Sequence, residues 1–407
     1  MQRIRKRPVL AANRMVLGRG ASVKLIVASV AVVICVVLCG AASASASTAG
    51  WRVQLVPKPP RTSTFLSAVS CPLRGDCTAA GFAVSGGNPS TLAERWDGSH
   101  WAIQPTPNPA GALQASLYGV SCASPAICSA VGDYYTTSGY QPLAEQWDGM
   151  SWTIQTMPVP AGAPGGELDS VSCASPASCT AVGWYVPTVG GENLPLAEHW
   201  DGTSWAVQAA VAPAGGGELL GVSCPTALDC IAVGESSGPT GVLAERWNGT
   251  RWAVQAMPRP AGTNMTLAGM SCKAPERCIA VGSETTSAGG GTTTTGAVVE
   301  RSNGPTWTLQ ADAAPSGTSL AGVSCPSSRS CTAVGVNVPA GAPPVPTTAV
   351  AEHWDGTNWA LQTVPEPSGT FGAELSGVWC LATLNCTAVG DYGTGRPRAI
   401  PLADHYR

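Results

Sequence analysis

Charged side chains are scarce in this chain: Asp, Glu, Lys and Arg together make up 12% of 407 residues, with a formal net charge of −3. So sparse and balanced a charge gives no global electrostatic argument for nucleic acid or for an anionic surface. Helical periodicity is missing as well, because after the first fifty residues no stretch repeats its apolar positions at a spacing near 3.6. Only 4 histidines occur. Three of them, His199, His353 and His405, fill one recurring slot that elsewhere holds Arg95, Gln146, Arg246 or Arg301, the behaviour of a polar outer position. No Ser/His/Asp set, H-E-x-x-H motif or phosphate-binding glycine loop is present, so no catalytic residue, metal ligand set or cofactor is indicated.

What the chain does contain is 48 Gly and 34 Pro, a composition suited to many short strands joined by tight turns. The N-terminus stands apart. It is basic from Met1-Gln2-Arg3-Ile4-Arg5-Lys6-Arg7 through Lys24, apolar from Leu25 to Cys39, and closes on Ala42-Ser43-Ala44-Ser45-Ala46. This is the order of a secretory signal peptide over residues 1–46 with two overlapping A-x-A cleavage sites, and without a twin-arginine pair the general secretion route is expected. Two alternatives stay open: an uncleaved membrane anchor over residues 25–42, and lipidation of Cys39, for which Leu38 is a poor preceding residue. Residues 47–50 read as a short linker.

An exported chain with 16 cysteines is expected to oxidise them. Apart from Cys35 and Cys39 they form seven C-x5-C pairs: Cys71/Cys77, Cys122/Cys128, Cys173/Cys179, Cys224/Cys230, Cys272/Cys278, Cys325/Cys331 and Cys380/Cys386. The pairs recur about every fifty residues, so the chain is a tandem array. A closed zinc site wants four ligands, whereas each repeat offers two cysteines and no repeated histidine beside them; disulfides are the expectation.

Each repeat carries four short segments: L-x-x-V-S-C (Leu117 to Cys122), C-x-A-V-G (Cys179 to Gly183), L-A-E-x-W-D-G (Leu196 to Gly202) and W-x-V/I-Q followed by prolines (Trp152 to Gln155, Pro158, Pro160). They are rich in Val, Trp and Leu and bounded by turn residues, as strands are. The first cysteine of a pair is expected to end one strand and the second to begin the next. Asp-Gly or Asn-Gly between the third and fourth segments marks a hairpin. Four antiparallel strands per fifty-residue unit make a propeller blade, and the prediction is an all-β, seven-bladed propeller over 51–407. The first three segments occur seven times if Leu402 to Tyr406 is the last third segment. The fourth also occurs seven times, but its first copy, Trp51 to Gln54, precedes every other segment. Pairing of Trp51 to Gln54 beside Leu402 to Tyr406 would complete the last blade (375–407 plus 51–54) and leave no half-made edge.

The third and fourth segments resemble a kelch repeat, in which a glycine turn precedes a hydrophobic strand ending in an aromatic and Asp, then Trp and Pro: here Gly183, Trp200-Asp201, Trp205 and Pro213. The single glycine (Gly81, Gly132, Gly183, Gly234, Gly282, Gly335, Gly390) departs from the usual kelch pair, and the cysteines are no kelch feature. The array is also similar to the cysteine-paired W-D-G-x-x-W propeller repeats of exported actinobacterial proteins, a resemblance that implies a fold and no activity.

An acid recurs in every third segment (Glu94, Glu145, Glu198, Glu245, Glu300, Glu352, Asp404), which reads as a blade-building group whose expected donors are Trp indoles, the Ser beside each first cysteine and backbone N–H groups. In a four-stranded blade the cysteine and Asp-Gly hairpins share one face, and the second-to-third loops share the other with the proline links. The second face varies in length and chemistry, as binding surfaces do. Blades seven, one, two and three open their loops with Asp391-Tyr392, Phe82, Asp133-Tyr134-Tyr135 and Trp184-Tyr185; blades four to six carry Gly/Thr and Pro tracts (Gly289 to Thr295, Pro339 to Pro346) that read as flexible or extended. Asp133, Tyr134, Trp184, Tyr185, Asp391 and Tyr392 are therefore the candidate ligand-binding arc. The reading is a monomeric, secreted or cell-surface, non-catalytic module for a glycan, peptide or protein, with no nucleic-acid partner and no membrane contact beyond the N-terminal segment. A hydrolase or lyase at the central mouth is the alternative; blade-specific His, Arg or carboxylates converging near the axis would favour it, aromatics and small polar groups the binding module.

Overall fold

The computed structural model describes residues 49–238, 241–260, 262–288, 292–340, 346–383, 385–394 and 399–406. The expected signal peptide or anchor over 1–46 lies outside these. Among the described residues the secondary structure is entirely strand, seven separate four-stranded antiparallel sheets, and no helix is long and apolar enough to cross a membrane.

Blade 2 shows why the repeat folds this way. Its inner strand Gln114–Ser124 pairs with Ile127–Thr136, which pairs with Gly139–Trp147, which pairs with the short outer strand Trp152–Gln155. Leu117, Ala130, Leu143 and Trp152 come together from the four strands in one buried cluster, and each blade has an equivalent one. The recurring glycine has a steric cause. Gly132 pairs with Leu117, where the register shifts by one residue, and a Cβ on Gly132 would stand 2.0 Å from the Ser116 carbonyl oxygen. Any side chain there would force apart the bulge that turns the inner strand along the axis.

The last blade is built from Gly372–Ala382, Asn385–Gly393, Ala399–Tyr406 and the N-terminal Trp51–Gln54. Trp51 lies opposite Tyr406 and Gln54 opposite Ala403, so the ring closes with the first strand as its last. Trp51 is buried with Leu375 and Leu402.

All fourteen cysteines outside the N-terminal segment form the seven expected bridges, each within one blade: Cys71–Cys77, Cys122–Cys128, Cys173–Cys179, Cys224–Cys230, Cys272–Cys278, Cys325–Cys331 and Cys380–Cys386. Each closes only a short loop, a stabilisation of about 2 kcal/mol by loop entropy. Seven such bridges are the mark of an oxidising, extracellular environment.

The cysteines do not mark the strand ends, as the spacing had implied. The inner strand runs on past the first cysteine, to Leu73 in blade 1 and Ser124 in blade 2. The next strand starts one residue before the second, at Asp76 before Cys77, Ile127 before Cys128, Asp229 before Cys230 and Asn385 before Cys386. Each bridge therefore spans the sheet inside the hairpin, and its second cysteine is carried into the core. Cys77, Cys128, Cys230 and Cys386 are buried among the Trp, Leu and Val side chains of their blade clusters. Their sulfurs also touch the preceding blade: the Thr78, Thr180 and Thr332 hydroxyls lie 3.7, 3.6 and 3.6 Å from the Sγ of Cys128, Cys230 and Cys386, and Thr387 Oγ1 lies 3.8 Å from Cys77 Sγ. A disulfide sulfur has no proton, so in each contact the hydroxyl donates.

The Asp-Gly hairpins differ from a two-residue turn. Trp147 and Trp152 are the last pair, and Asp148 Oδ1 closes the four residues between them by accepting the N–H groups of Met150 and Ser151, both at 2.8 Å. Only Gly149 takes a positive φ, +96°. In blade 5 the turn is tighter, with Asn303 opposite Thr306. There, too, Thr292 to Thr295 continue a strand and pair with Ala288 to Thr285, so that half of the Gly/Thr tract is sheet. Gly289 to Gly291 and most of the Pro339 to Pro346 tract lie outside the described residues.

The recurring acids are fully buried, but neither the indoles nor the serines expected as donors bond to them. Ser70, Ser121, Ser172, Ser223, Ser271 and Ser324 each accept the N–H of the next blade's first cysteine at 2.8–3.0 Å, tying neighbouring inner strands together. At the seventh junction Trp379 replaces the serine and packs against the blade 1 core. Indoles bond between outer strands: Trp152 to Gln104, Trp252 to Gln208, Trp101 to Gln54. Two acids do find an amide. Glu245 accepts Val211 N–H at 2.9 Å and Glu352 accepts Ala313 N–H at 2.8 Å, both from the link entering the blade. In the other five blades that link position, six residues after the outer-strand Trp, is Pro57, Pro107, Pro158, Pro258 or Pro365. Proline has no N–H to give, and among the described residues no backbone amide takes its place at Glu94, Glu145, Glu198, Glu300 or Asp404. Thr91 beside Glu145 already bonds Thr106 at 3.0 Å. Burial pushes Glu94, Glu145, Glu198 and Glu300 up to about 8 and Asp404 to about 7.

Candidate functional site: the axial cavity and its variable-face mouth

The seven inner strands surround an axial cavity of about 500 Å³, a volume in the usual range for ligand sites. Each strand enters from the variable face and ends at the cysteine hairpin. Its fully buried leucine (Leu66, Leu117, Leu168, Leu219, Leu267, Leu320, Leu375) points between blades, and the residue after it lines the cavity: Ser67, Tyr118, Asp169, Leu220, Ala268, Ala321, Ser376. The next layer is mostly glycine, because neighbouring inner strands approach so closely that a Cβ on Gly221 would stand 2.7 Å from the Ala268 carbonyl oxygen. Lys273, Pro326 and Leu381 line the cysteine-face end. First cysteines such as Cys173, Cys224 and Cys380 reach this wall, whereas their second partners do not. Cys77, Cys128, Cys230 and Cys386 lie one strand further out, so they serve as staples of the blade and not as ligand contacts.

The residue before each leucine forms the variable-face mouth, and it pairs with the residue after the recurring glycine. These pairs are Phe65 with Phe82, Ser116 with Asp133, Glu167 with Trp184, Glu218 with Glu235 and Glu374 with Asp391. Carboxyls therefore collect between blades 2 and 4. Asp133 is buried, accepts the Tyr118 hydroxyl, and is raised by burial to about 6. Glu167 is raised to about 7, by burial first and then by repulsion from Asp133 and Glu218. Asp169 stands well above the carboxylate range for the same reasons, with Glu167, Glu218 and Asp133 adding to its burial. Its Oδ2 is buried and unpartnered. Glu218 is held by Asn193 Nδ2. In blade 7 burial, followed by the charge and hydrogen bond of Glu374, pushes Asp391 up to about 8.

Strand alternation divides the six residues of the candidate arc. Asp133, Trp184 and Asp391, first after the glycine, face the mouth pairs just described. Tyr134, Tyr185 and Tyr392, second after it, are half-buried and pack onto the cores of blades 2, 3 and 7. Trp184 keeps an aromatic neighbour at the surface. Its ring meets Tyr140 edge-on at 6.4 Å, and Tyr140, 46% exposed, lies 5.0 Å from Tyr135. In blade 1 Phe65 stacks on Phe82 at 5.0 Å, with Tyr118 of blade 2 edge-on to Phe82 at 6.4 Å. Tyr140, Phe65, Tyr118, Glu167, Asp169, Glu218 and Glu374 were not part of the sequence-based arc. Apart from Tyr140, which lies on the third strand, their signal is the two positions flanking the inner-strand leucine, where the residue type varies from blade to blade.

No protein-family model and no curated protein matches this chain. Among solved structures it is similar to YCF48 bound to D1 peptide (14% identity, 88% of this chain and 94% of that chain, TM-score 0.52) and to YCF48 from Cyanidioschyzon merolae (14%, 88% and 98%, TM-score 0.52). It is also similar to the GH74 xyloglucanase from Xanthomonas campestris (13% identity, 87% of this chain and 55% of that chain, TM-score 0.53). At these identities the likeness shows the propeller fold alone. Among the described residues no group of three or more His, Cys, Asp or Glu is arranged to hold a metal ion.

Proposed function

We propose that this is an exported, non-catalytic binding propeller that recognises a peptide, protein or glycan on its variable-loop face. The observation that carries the reading is the Tyr135–Tyr140–Trp184 cluster. It is aromatic surface beyond what blade packing uses, beside a mouth lined with hydrogen-bonding groups, the composition of a recognition surface. That one similar propeller is described with a bound peptide supports a polypeptide ligand in general. Peptide and glycan arrays probed with the purified, oxidised protein test it: the reading expects ligands whose binding is lost in Trp184→Ala at unchanged melting temperature.

A second reading has its own support. Blade-specific carboxylates do converge near the axis, and carboxyls with raised pKa values are suited to general acid work in glycoside cleavage. This hydrolase or lyase reading expects chain shortening of a polysaccharide that stops in Asp391→Asn or Asp169→Asn while binding survives.

A further inference from the structure

The mouth is acidic over blades 2 to 4, and the cavity wall beside Asp169 turns apolar. Asp133, Glu167, Asp169 and Glu218 lie on blades 2 to 4, whereas the cavity wall continues through Leu220, Ala268 and Ala321. Among the described residues none of the four carboxyls is in an ion pair with Lys or Arg. We infer that this mouth receives a basic side chain of a polypeptide ligand, a Lys or Arg whose cationic head meets Asp169 and whose aliphatic stem lies along Leu220 and the Tyr118 ring. The inference rests on the binding reading above and names its ligand class.

The strongest support is Asp169. Its Oδ2 is buried without a donor at the end of an open cavity, and a buried acceptor left unmade carries a standing cost that a ligand donor removes. Its neighbours supply no donor either: Tyr118 is committed to Asp133 and Asn193 to Glu218. A bare metal ion fits poorly, since the carboxyls do not form a ligand group and Leu220 and Ala268 offer no oxygen. A long side chain matches both halves, because Lys and Arg lay their methylenes on apolar surface while keeping the charge on polar groups, and an aromatic face adds to the attraction. Lys273 at the opposite end makes the cavity polar along its axis, so a cation is drawn to the variable face.

Binding a cation must favour the ionised carboxyls, so complex formation releases protons and affinity rises with pH. The probe is the peptide Ac-Phe-Gly-Lys-Gly-Phe-NH2, with norleucine in place of Lys as the control, titrated calorimetrically at pH 5 and pH 8. The expected result is binding at pH 8 about tenfold tighter for the Lys peptide than for the control, proton release, and weakening by about tenfold at pH 5. Asp169→Asn should erase the preference for Lys. Asp148→Asn, on the opposite face, should keep it, because Asn248 caps the equivalent turn in blade 4. Equal binding of the two peptides, or no binding of the Lys peptide, overturns the inference. If array ligands without a cation still depend on Trp184, the binding face stands and only the ligand class falls; if nothing binds, both fall.

Discussion

Trp51 donates its indole N–H to Gln362 Oε1 at 2.9 Å, and Gln54, three residues on, accepts the indole N–H of Trp101 at the same distance. The first strand of the chain is thus bonded on both sides by the rule that joins Trp152 to Gln104 and Trp252 to Gln208, as though it followed Tyr406 in sequence. Contacts this far apart in the chain form only when the whole ring is assembled, so the closing strand couples the first and last blades.

Removing it should therefore act on the whole domain. A protein beginning after Pro60 loses the Trp51 burial and two inter-blade hydrogen bonds, and is expected to be destabilised by several kcal/mol, about the cost of deleting a buried Trp. Thermal melting of the two forms checks this, and equal melting temperatures would count against closure.

The cysteine pairing predicts that peptide mapping of the non-reduced protein finds seven links, each within a blade, and no free thiol among those fourteen cysteines. Reduction of all seven should lower the melting temperature steeply, because bridges worth about 2 kcal/mol each together match the whole stability of a typical domain. A bridge between blades, or stoichiometric zinc, would contradict the pairing.

The buried acids predict an inverted pH dependence. A carboxyl whose folded pKa is raised above its unfolded value of 4.5 favours the folded state only while neutral. Stability is therefore full below about pH 4.5 and falls as pH rises toward about 8. Melting temperature should rise from pH 8 to pH 5, and Glu94→Gln should flatten part of that slope. Pro158→Ala should do so by another route, since it supplies at Glu198 the amide that Val211 supplies to Glu245. A flat profile in the wild type would show these carboxyls to be solvated.

Much of this architecture is legible in the residues themselves. The C-x5-C pairs, the Asp-Gly turns and the displaced Trp51-Arg52-Val53-Gln54 segment are local signals repeated seven times or nearly so, and repetition exposes a missing or shifted copy. The burial of Cys77, Cys128, Cys230 and Cys386 was less so, because the spacing names a bridge without saying how far the strands run beyond it. The fate of the seven acids was not legible, because each depends on one residue of a link about forty positions earlier. Whether that residue is Pro107 or Val211 matters only once the blade has folded over it. The mouth was half legible. Asp133, Trp184 and Asp391 follow a recognisable glycine, but Glu167, Asp169 and Glu218 become neighbours through the close approach of inner strands around the axis. Tyr134 and Tyr185 read as surface residues until the alternation at the glycine turns them onto the blade cores.

The central claim is that the variable-loop face recognises a ligand through aromatic side chains that the fold does not need. Its most direct measurement is binding of an array-identified ligand to the wild type and to a Tyr140→Ala, Trp184→Ala double variant, with melting temperatures recorded alongside. The account predicts a loss of affinity of about 1 to 3 kcal/mol with little change in melting, as for aromatic anchors at an interface. Undiminished binding in the double variant, or a fall in stability that matches the loss of affinity, would contradict it.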